Sequence, residues 1–366
     1  MRALAHPLVA LPLSAFRRYE RHLSAVSMVA GFAFDNYYLD RVDHPIAQLA
    51  LFGYVLSAIA SIVLVHLIET IEPEGLLLKA RPLLVVATQF SFGGLWSAFL
   101  IFYGRSAVIA ASWPFLIVLA AMLIGNEVFA KYQSRLAFTS TLLFFALFSY
   151  AIFVVPLFTR ALGQRTFLLS GGVAVACFGA VLTMLSAIGP ERMRAAWRGI
   201  ALGALGVFAI LNLFYFTNIL PPLPLTLTKA GVFHSVTKTG DVYQAMAEPA
   251  TFLGAAGAAP VLHVAPGEPL SVYSAVFAPI QLRTNIVHLW QHYDTARARW
   301  QTEAAVSFPI TGGRDGGYRG SSTKSSPRSG QWRVEIATAD GRLIGRVPFS
   351  VVPVPATPAT VLQILK

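Results

Sequence analysis

The sequence predicts an α-helical membrane bundle followed by a small antiparallel β-sandwich. Three observations carry that prediction. Apolar residues make up 55% of the 366-residue chain and charged residues only 12%, half the share of about 25% usual in soluble proteins. The apolar residues gather into blocks of about 20, the length that crosses roughly 30 Å of hydrocarbon at about 1.5 Å per residue. Beyond Pro221-Pro222-Leu223-Pro224 the blocks give way to short alternating runs, the pattern of strands with one buried face. This composition excludes a soluble enzyme, a disordered chain and a fibrous one.

Six spans are clear: Ile46–Ile68, Pro82–Gly104, Ala107–Asn126, Leu136–Pro156, Thr166–Ile188 and Gly199–Leu220. Each is bounded by charges or by Pro and Gly. A seventh stretch, Leu23–Tyr38, follows Arg17, Arg18 and Arg21. As a helix it rises about 24 Å, short but able to span, with the Tyr pair at headgroup level. An amphipathic helix lying on the surface is the alternative. Loop cations favour about seven spans. With seven, one side collects 11 Lys and Arg and the other 4; with six, the tally is 8 against 7. The positive-inside bias then puts residues 1–22 in the cytoplasm, the helical domain over 23–220, and residues 221–366 on the far side of the membrane.

The formal charge of +11 is spread along the chain, with 15 basic against 9 acidic residues in 1–220 and 13 against 8 in 221–366. No run of five like charges occurs, so no nucleic-acid partner is expected. Cys177 stands alone in an apolar block, which leaves no disulfide framework. Met1–Leu13 is broken by Pro7 and Pro12 and followed by its basic residues, unlike a cleavable signal.

Polar residues within the spans are few: Gln89, Asn212 and Asn218, with His66, Asn126 and Glu127 at span ends. Ion pumps keep charged partners at mid-membrane depth, so ion transport is disfavoured. Asn126 and Glu127 read as a helix-end anchor or as a cytoplasmic-facing polar pocket. Gly199 and Gly203 have the spacing of close helix packing. Asp35, Asn36, Asp40 and Asp43 form the densest polar cluster near the membrane. Their carboxylates could ligate a cation through oxygen, or, with Arg41 and His44 beside them, make an interfacial turn.

In the terminal domain, Trp332, Val334 and Ile336 alternate with Arg333 and Glu335, and Val347, Phe349 and Val351 follow Asp340-Gly341. Asp-Gly between alternating runs predicts a hairpin. Leu270–Phe277, Asn285–Tyr293 and Ala304–Ile310 read as further strands. His288 and His292 would pair on a metal only in a helix; in a strand they stand about 13 Å apart, so no metal or other cofactor is expected. On that strand Ile286, His288, Trp290 and His292 share a face, where His288 and Trp290 could hold a polar ligand or fill the core. Thr311–Gly330 reads as a Gly- and Ser-rich loop carrying Arg314, Arg319, Lys324 and Arg328 against Asp315 alone. With Tyr318 beside Arg319, it could meet an anionic phosphate, glycan or lipid headgroup; a flexible connection is the alternative.

A resemblance adds to this reading. Phe34-Asp35, Leu39-Asp40-Arg41-Val42-Asp43, Tyr103-Gly104-Arg105-Ser106-Ala107, Gly125-Asn126-Glu127 and Leu168-Leu169-Ser170-Gly171 carry it in the membrane half. His288-Leu289-Trp290, Tyr318-Arg319, Gly330-Gln331-Trp332-Arg333-Val334, Asp340-Gly341 and Ile344-Gly345 carry it in the terminal half. Together they resemble an uncharacterised family of polytopic bacterial inner-membrane proteins ending in a small domain of unknown function. The chain departs from that pattern at Gly320-Ser321-Ser322, where a bulkier residue is expected after Arg319. The resemblance implies a bacterial inner membrane protein and supplies no activity.

The function these features favour is a membrane-anchored binding module. Its partners are the bilayer and an anionic lipid, a glycan or a protein of the envelope. A transporter or channel with an accessory domain competes with it. So does a membrane enzyme on a lipid-linked substrate, with Asp35, Asp40 or Glu127 as acids. The sequence carries no Walker motif, dinucleotide fingerprint, zinc-protease helix or Gly-x-Ser-x-Gly elbow, which disfavours an enzyme.

Overall fold

A computed structural model describes residues 32–33, 35–36, 39, 44–71, 79–106, 109–128, 135–222, 224–240, 242–249, 259–279, 282–312 and 316–365. Six long helices come first: α1 (Pro45–Ile71), α2 (Arg81–Ser106), α3 (Ile109–Val128), α4 (Leu136–Thr159), α5 (Gln164–Ile188) and α6 (Pro190–Phe216). The expected count of about seven is therefore corrected to six among the described residues. Most of Leu23–Tyr38 lies outside them; residues 32–33 and 35–36 are helical. Five of the six are long and apolar enough to cross a membrane, and Ala111–Asn126 within α3 is a shorter apolar helix.

The predicted spans coincide with these helices except at α6, which starts nine residues before Gly199. Pro190, whose fixed φ suits the first helical position, opens α6 directly after Gly189 ends α5. The first turns of α6 are therefore polar helix rather than loop, and they carry Arg192, Arg194 and Arg198.

Contacts define two ends of the bundle. At one end, Glu69 on α1 pairs with Arg81 on α2 and Arg192 on α6, and His66 Nε2 lies 3.0 Å from the Leu185 carbonyl of α5. At the other, Arg105 donates to the carbonyls of Leu39 and Asn36 at 2.6 and 2.8 Å. Between the ends the core is aromatic: Trp96, Phe99, Tyr103, Phe115, Phe148 and Phe153 are fully buried. Tyr103 meets Phe115 edge-on at 4.8 Å, an arrangement the ring quadrupole favours. Small residues let α6 approach α4: a side chain added at Gly203 would collide with Thr141, and one at Gly199 would crowd Ala137. Large apolar residues also point outward, among them Leu83, Phe158 and Leu202, a surface suited to lipid rather than water.

Eleven strands follow: β1 (Thr226–Phe233), β2 (Ser235–Thr239), β3 (Val242–Ala247), β4 (Val261–Val264), β5 (Leu270–Phe277), β6 (Arg283–Asp294), β7 (Arg299–Thr311), β8 (Tyr318–Lys324), β9 (Gly330–Thr338), β10 (Leu343–Pro353) and β11 (Val361–Leu365). They form a sheet β1-β5-β8, a sheet β4-β10-β9-β6-β7 and a small sheet β11-β3-β2. The first two share one apolar core, with Val232, Val272 and Val276 from one and Ile286, Trp290, Trp332 and Phe349 from the other. The expectation of a wholly antiparallel domain needs a correction, because β4 runs parallel to β10. The β9–β10 hairpin turns at Asp340-Gly341 as predicted, with Gly341 at φ +83.

The segment Thr311–Gly330, expected as a loop, contains strand β8, paired with β5 along its length. Gly320 sits beneath the Phe308 ring of β7, where any side chain would collide, and Ser322 is buried. Small residues that read locally as loop are there because a neighbouring sheet presses on them.

Candidate functional site

The β unit stands on the end of the bundle that holds Arg105. Ser106, closing α2, shares a 3.1 Å hydrogen bond with Thr226, opening β1. Arg342, just before β10 and 6% exposed, donates to the Leu220 carbonyl at 2.6 Å. Its guanidinium lies 4.0 Å from the Tyr215 ring, and Tyr215 stacks on Phe167. A buried charge needs such partners; here a cation–π contact and a carbonyl supply them. The registers then sort the β unit into a bundle-facing end, with Thr226, Phe277, Tyr318 and Thr338, and a distal end, with Phe233, Leu270, Lys324 and Gly330.

The basic residues of Thr311–Gly330 are not brought together. Arg314 lies outside the described residues. Tyr318 and Arg319 are at the bundle-facing end of β8, with Tyr318 packed on the shared core and the Arg319 carbonyl bonded to Tyr243. Lys324 and Arg328 are at the distal end, and both pair with Glu303 of β7. One carboxylate thus already answers two of the four cations.

His288 and Trp290 are wholly buried between the two large sheets. His288 bonds Ser274 of β5 through Nε2 and Ser322 of β8 through Nδ1, both at 2.8 Å, and the Trp290 indole N–H donates to Ser322 at 3.0 Å. Burial holds the His288 imidazole down at about 4, because the charged form loses its water. The hydroxyls hold a neutral ring, and among the described residues no carboxylate stands behind it to make it a base.

In the membrane half, Asn36 meets Arg105 through its carbonyl and side chain, and Asp35 lies one helical position before it. Asp40 and Asp43 lie outside the described residues. Asn126 donates to the Gln89 carbonyl at 2.9 Å, a helix-to-helix tie; Glu127 follows it within α3.

Sequence reasoning missed a groove in the β unit. The groove, of about 380 Å³, runs between β1 (Leu227–Val232) and β10 (Arg346–Pro348), with Ala259 and Pro260 also lining it. It exists because β1 pairs with β5 alone in its sheet, and because β4 meets β10 only from Ser350 onward. Ser350 donates to Pro260 on the β4 side, so the backbone of Arg346 and Pro348 turns the same way, into the groove. Lys229 is exposed on one wall, and Arg346 on the other is held by Glu335 at 2.6 Å. No motif marks this place; it is made by two strand edges distant in sequence. Also unforeseen is a carboxylate clasp, in which Glu248 bonds His234 at 3.0 Å and His263 at 2.8 Å.

A family model described as a protein of unknown function, DUF2914, matches residues 283–351. The matched stretch runs from β6 into β10 and contains His288, Trp290 and Trp332. No curated protein matches the chain. Among solved structures, a β-glucosidase from Listeria innocua in complex with isofagomine is 13% identical, over 35% of this chain and 16% of that one, with a TM-score of 0.20. An immunoglobulin-like protein from Pseudomonas aeruginosa is 12% identical over 34% of this chain and 97% of that one, with a TM-score of 0.19. The chain thus spans a small part of the Listeria enzyme's length, and superpositions this loose carry nothing about fold or activity.

Proposed function

We propose that the protein is a membrane-anchored binding module of the bacterial inner membrane, in which a helical bundle presents a β-sandwich on the outer face to recognise an envelope component. The groove between the β1 and β10 edges carries the reading. Its volume lies in the range of ligand sites, and unpaired strand edges offer donors and acceptors to an extended segment or a sugar chain. The aromatic filling of the bundle supports anchoring over conduction, since Trp96, Phe99 and Phe153 occupy its middle. Loop cations support an orientation that rests on Leu23–Tyr38 forming the seventh span: among the described residues Lys79, Arg81, Arg135, Arg192, Arg194 and Arg198 lie at the end away from the β unit, against Arg105, Arg160 and Arg165 near it. The positive-inside bias assigns the richer end to the cytoplasm.

The test is amide hydrogen exchange of the full chain in lipid nanodiscs, with peptidoglycan fragments, phospholipid or an envelope protein extract added in turn. One of the three slows exchange in β1 and at Arg346 and leaves β6 unchanged. Exchange unchanged by all three overturns the reading.

A further inference from the structure

We propose that the outward face of the first turns of α6 is a binding site for an anionic phospholipid, with Arg194 and Arg198 on the headgroup phosphate and Trp197 and Leu202 along the glycerol and acyl region. This is independent of the groove in the β unit.

The three arginines that open α6 have different fates. Arg192 turns inward and is neutralised by Glu69 of α1, which also holds Arg81. Arg194 and Arg198 are exposed, and their guanidiniums have no ion pair or hydrogen bond to another described residue. They stand four positions apart, about 6 Å along one helix face, close enough for both to reach one phosphate. Glu191, exposed in the preceding turn, is the acidic residue nearest in sequence, and it pairs with neither.

Trp197, 52% exposed, flanks them, and Leu202 and Leu205 follow at 71% and 64% exposed. Positions 194, 198, 202 and 205 recur at the three- and four-residue spacing of one helical stripe, with Trp197 at its flank. Read along the axis, Arg194, Trp197 and Arg198 come first and the aliphatic pair Leu202 and Leu205 follows. A phospholipid presents the complementary order from headgroup to chains. Water cannot satisfy the aliphatic part, and a zwitterionic headgroup places its own cation beside the arginines. The charge of the site therefore selects an acidic lipid. Guanidinium forks hold phosphate oxygens in pairs, and indole prefers the headgroup boundary.

The experiment uses the full chain in nanodiscs of mixed phosphatidylcholine and phosphatidylglycerol, with lipids retained after detergent extraction counted by native mass spectrometry. The wild type retains phosphatidylglycerol over phosphatidylcholine. Arg194→Gln with Arg198→Gln weakens that retention about 30-fold, the effect of two interfacial cations acting together, and leaves thermal unfolding unchanged. Arg194→Lys with Arg198→Lys restores most of it. Inorganic phosphate at equal ionic strength does not displace the lipid, because the acyl contacts are absent from it. Equal retention of the two lipids by the wild type, retention unchanged in the double Gln variant, or displacement by phosphate each overturns the proposal.

Discussion

The bundle and the β unit bury polar atoms in opposite ways. In the bundle, several hydroxyls answer their own helix: Thr88 bonds the Leu84 carbonyl, Ser91 that of Ala87, Thr141 that of Ala137 and Ser170 that of Thr166, each one turn back. Apart from ties such as Asn126 to Gln89 and Tyr103 to Ser149, helix contacts are made by rings and small residues. In the β unit the polar core is tertiary: Ser274, His288, Ser322 and Trp290 come from three strands of two sheets. A helix can satisfy itself wherever it lies, which is what a bilayer demands. A strand face cannot, so a polar group there must find its partner across the core. The β unit should accordingly lose more from a single core substitution than the bundle does.

The sharpest test is Trp290→Ala. It removes a fully buried indole and leaves Ser322 with one partner fewer, and should cost the β unit about 3–5 kcal/mol. Denaturant unfolding followed by near-ultraviolet circular dichroism would register it, while the helical far-ultraviolet signal stays in place. Equal loss of both signals would mean that the halves unfold as one.

Acid gives the next largest effect. The unfolded His288 takes up a proton near its ordinary 6.5, and the folded one resists down to about 4. Between those values the unfolded state binds more protons, so stability is full above the ordinary value and is lost as pH falls towards about 4. The loss amounts to about 3 kcal/mol. Unfolding midpoints across that window should fall for the wild type and stay flatter for His288→Gln.

A smaller effect separates the halves without unfolding either. Arg342→Gln removes the tie to Leu220 and Tyr215, worth about 1–2 kcal/mol. Hydrogen exchange should quicken at Leu220 and Leu225, with β6 and α4 unaffected. Unchanged exchange there would show that Ser106 and Thr226 suffice to seat the β unit.

The smallest expected change is at Glu248. Burial pushes its carboxyl up, and the His263 backbone N–H with the two imidazoles outweighs this and holds it below its ordinary value. Its contribution is present above that ordinary value and is lost as pH falls through the folded one. Glu248→Gln should cost about 1 kcal/mol or less, read from the same unfolding curves, and should lessen the acid sensitivity below the His288 window.

Periodicity along the chain made much of this legible. The apolar blocks matched five of the six helices to within a few residues, and Leu270–Phe277 is a strand with those bounds. Asp340-Gly341 marked the hairpin because a left-handed glycine is a local requirement. Failures came where a residue's reason is distant. Arg192 looked like loop charge until Glu69, 123 positions away, made it part of α6. Gly320 and Ser322 looked like flexible chain until Phe308, His288 and Trp290 supplied their neighbours.

The sequence by itself therefore determined where the chain is helical and apolar, where the β unit begins and where its hairpin turns, because those follow from contacts a few residues apart. Only the tertiary structure decided that the cations of Thr311–Gly330 divide between two ends of a strand and that Lys324 and Arg328 share Glu303. It also decided that His288 is a buried neutral ring and that two strand edges leave a groove. Each of these depends on which distant strand lies alongside, and pairing is set by the packing of whole sheets rather than by the residues that end up facing each other.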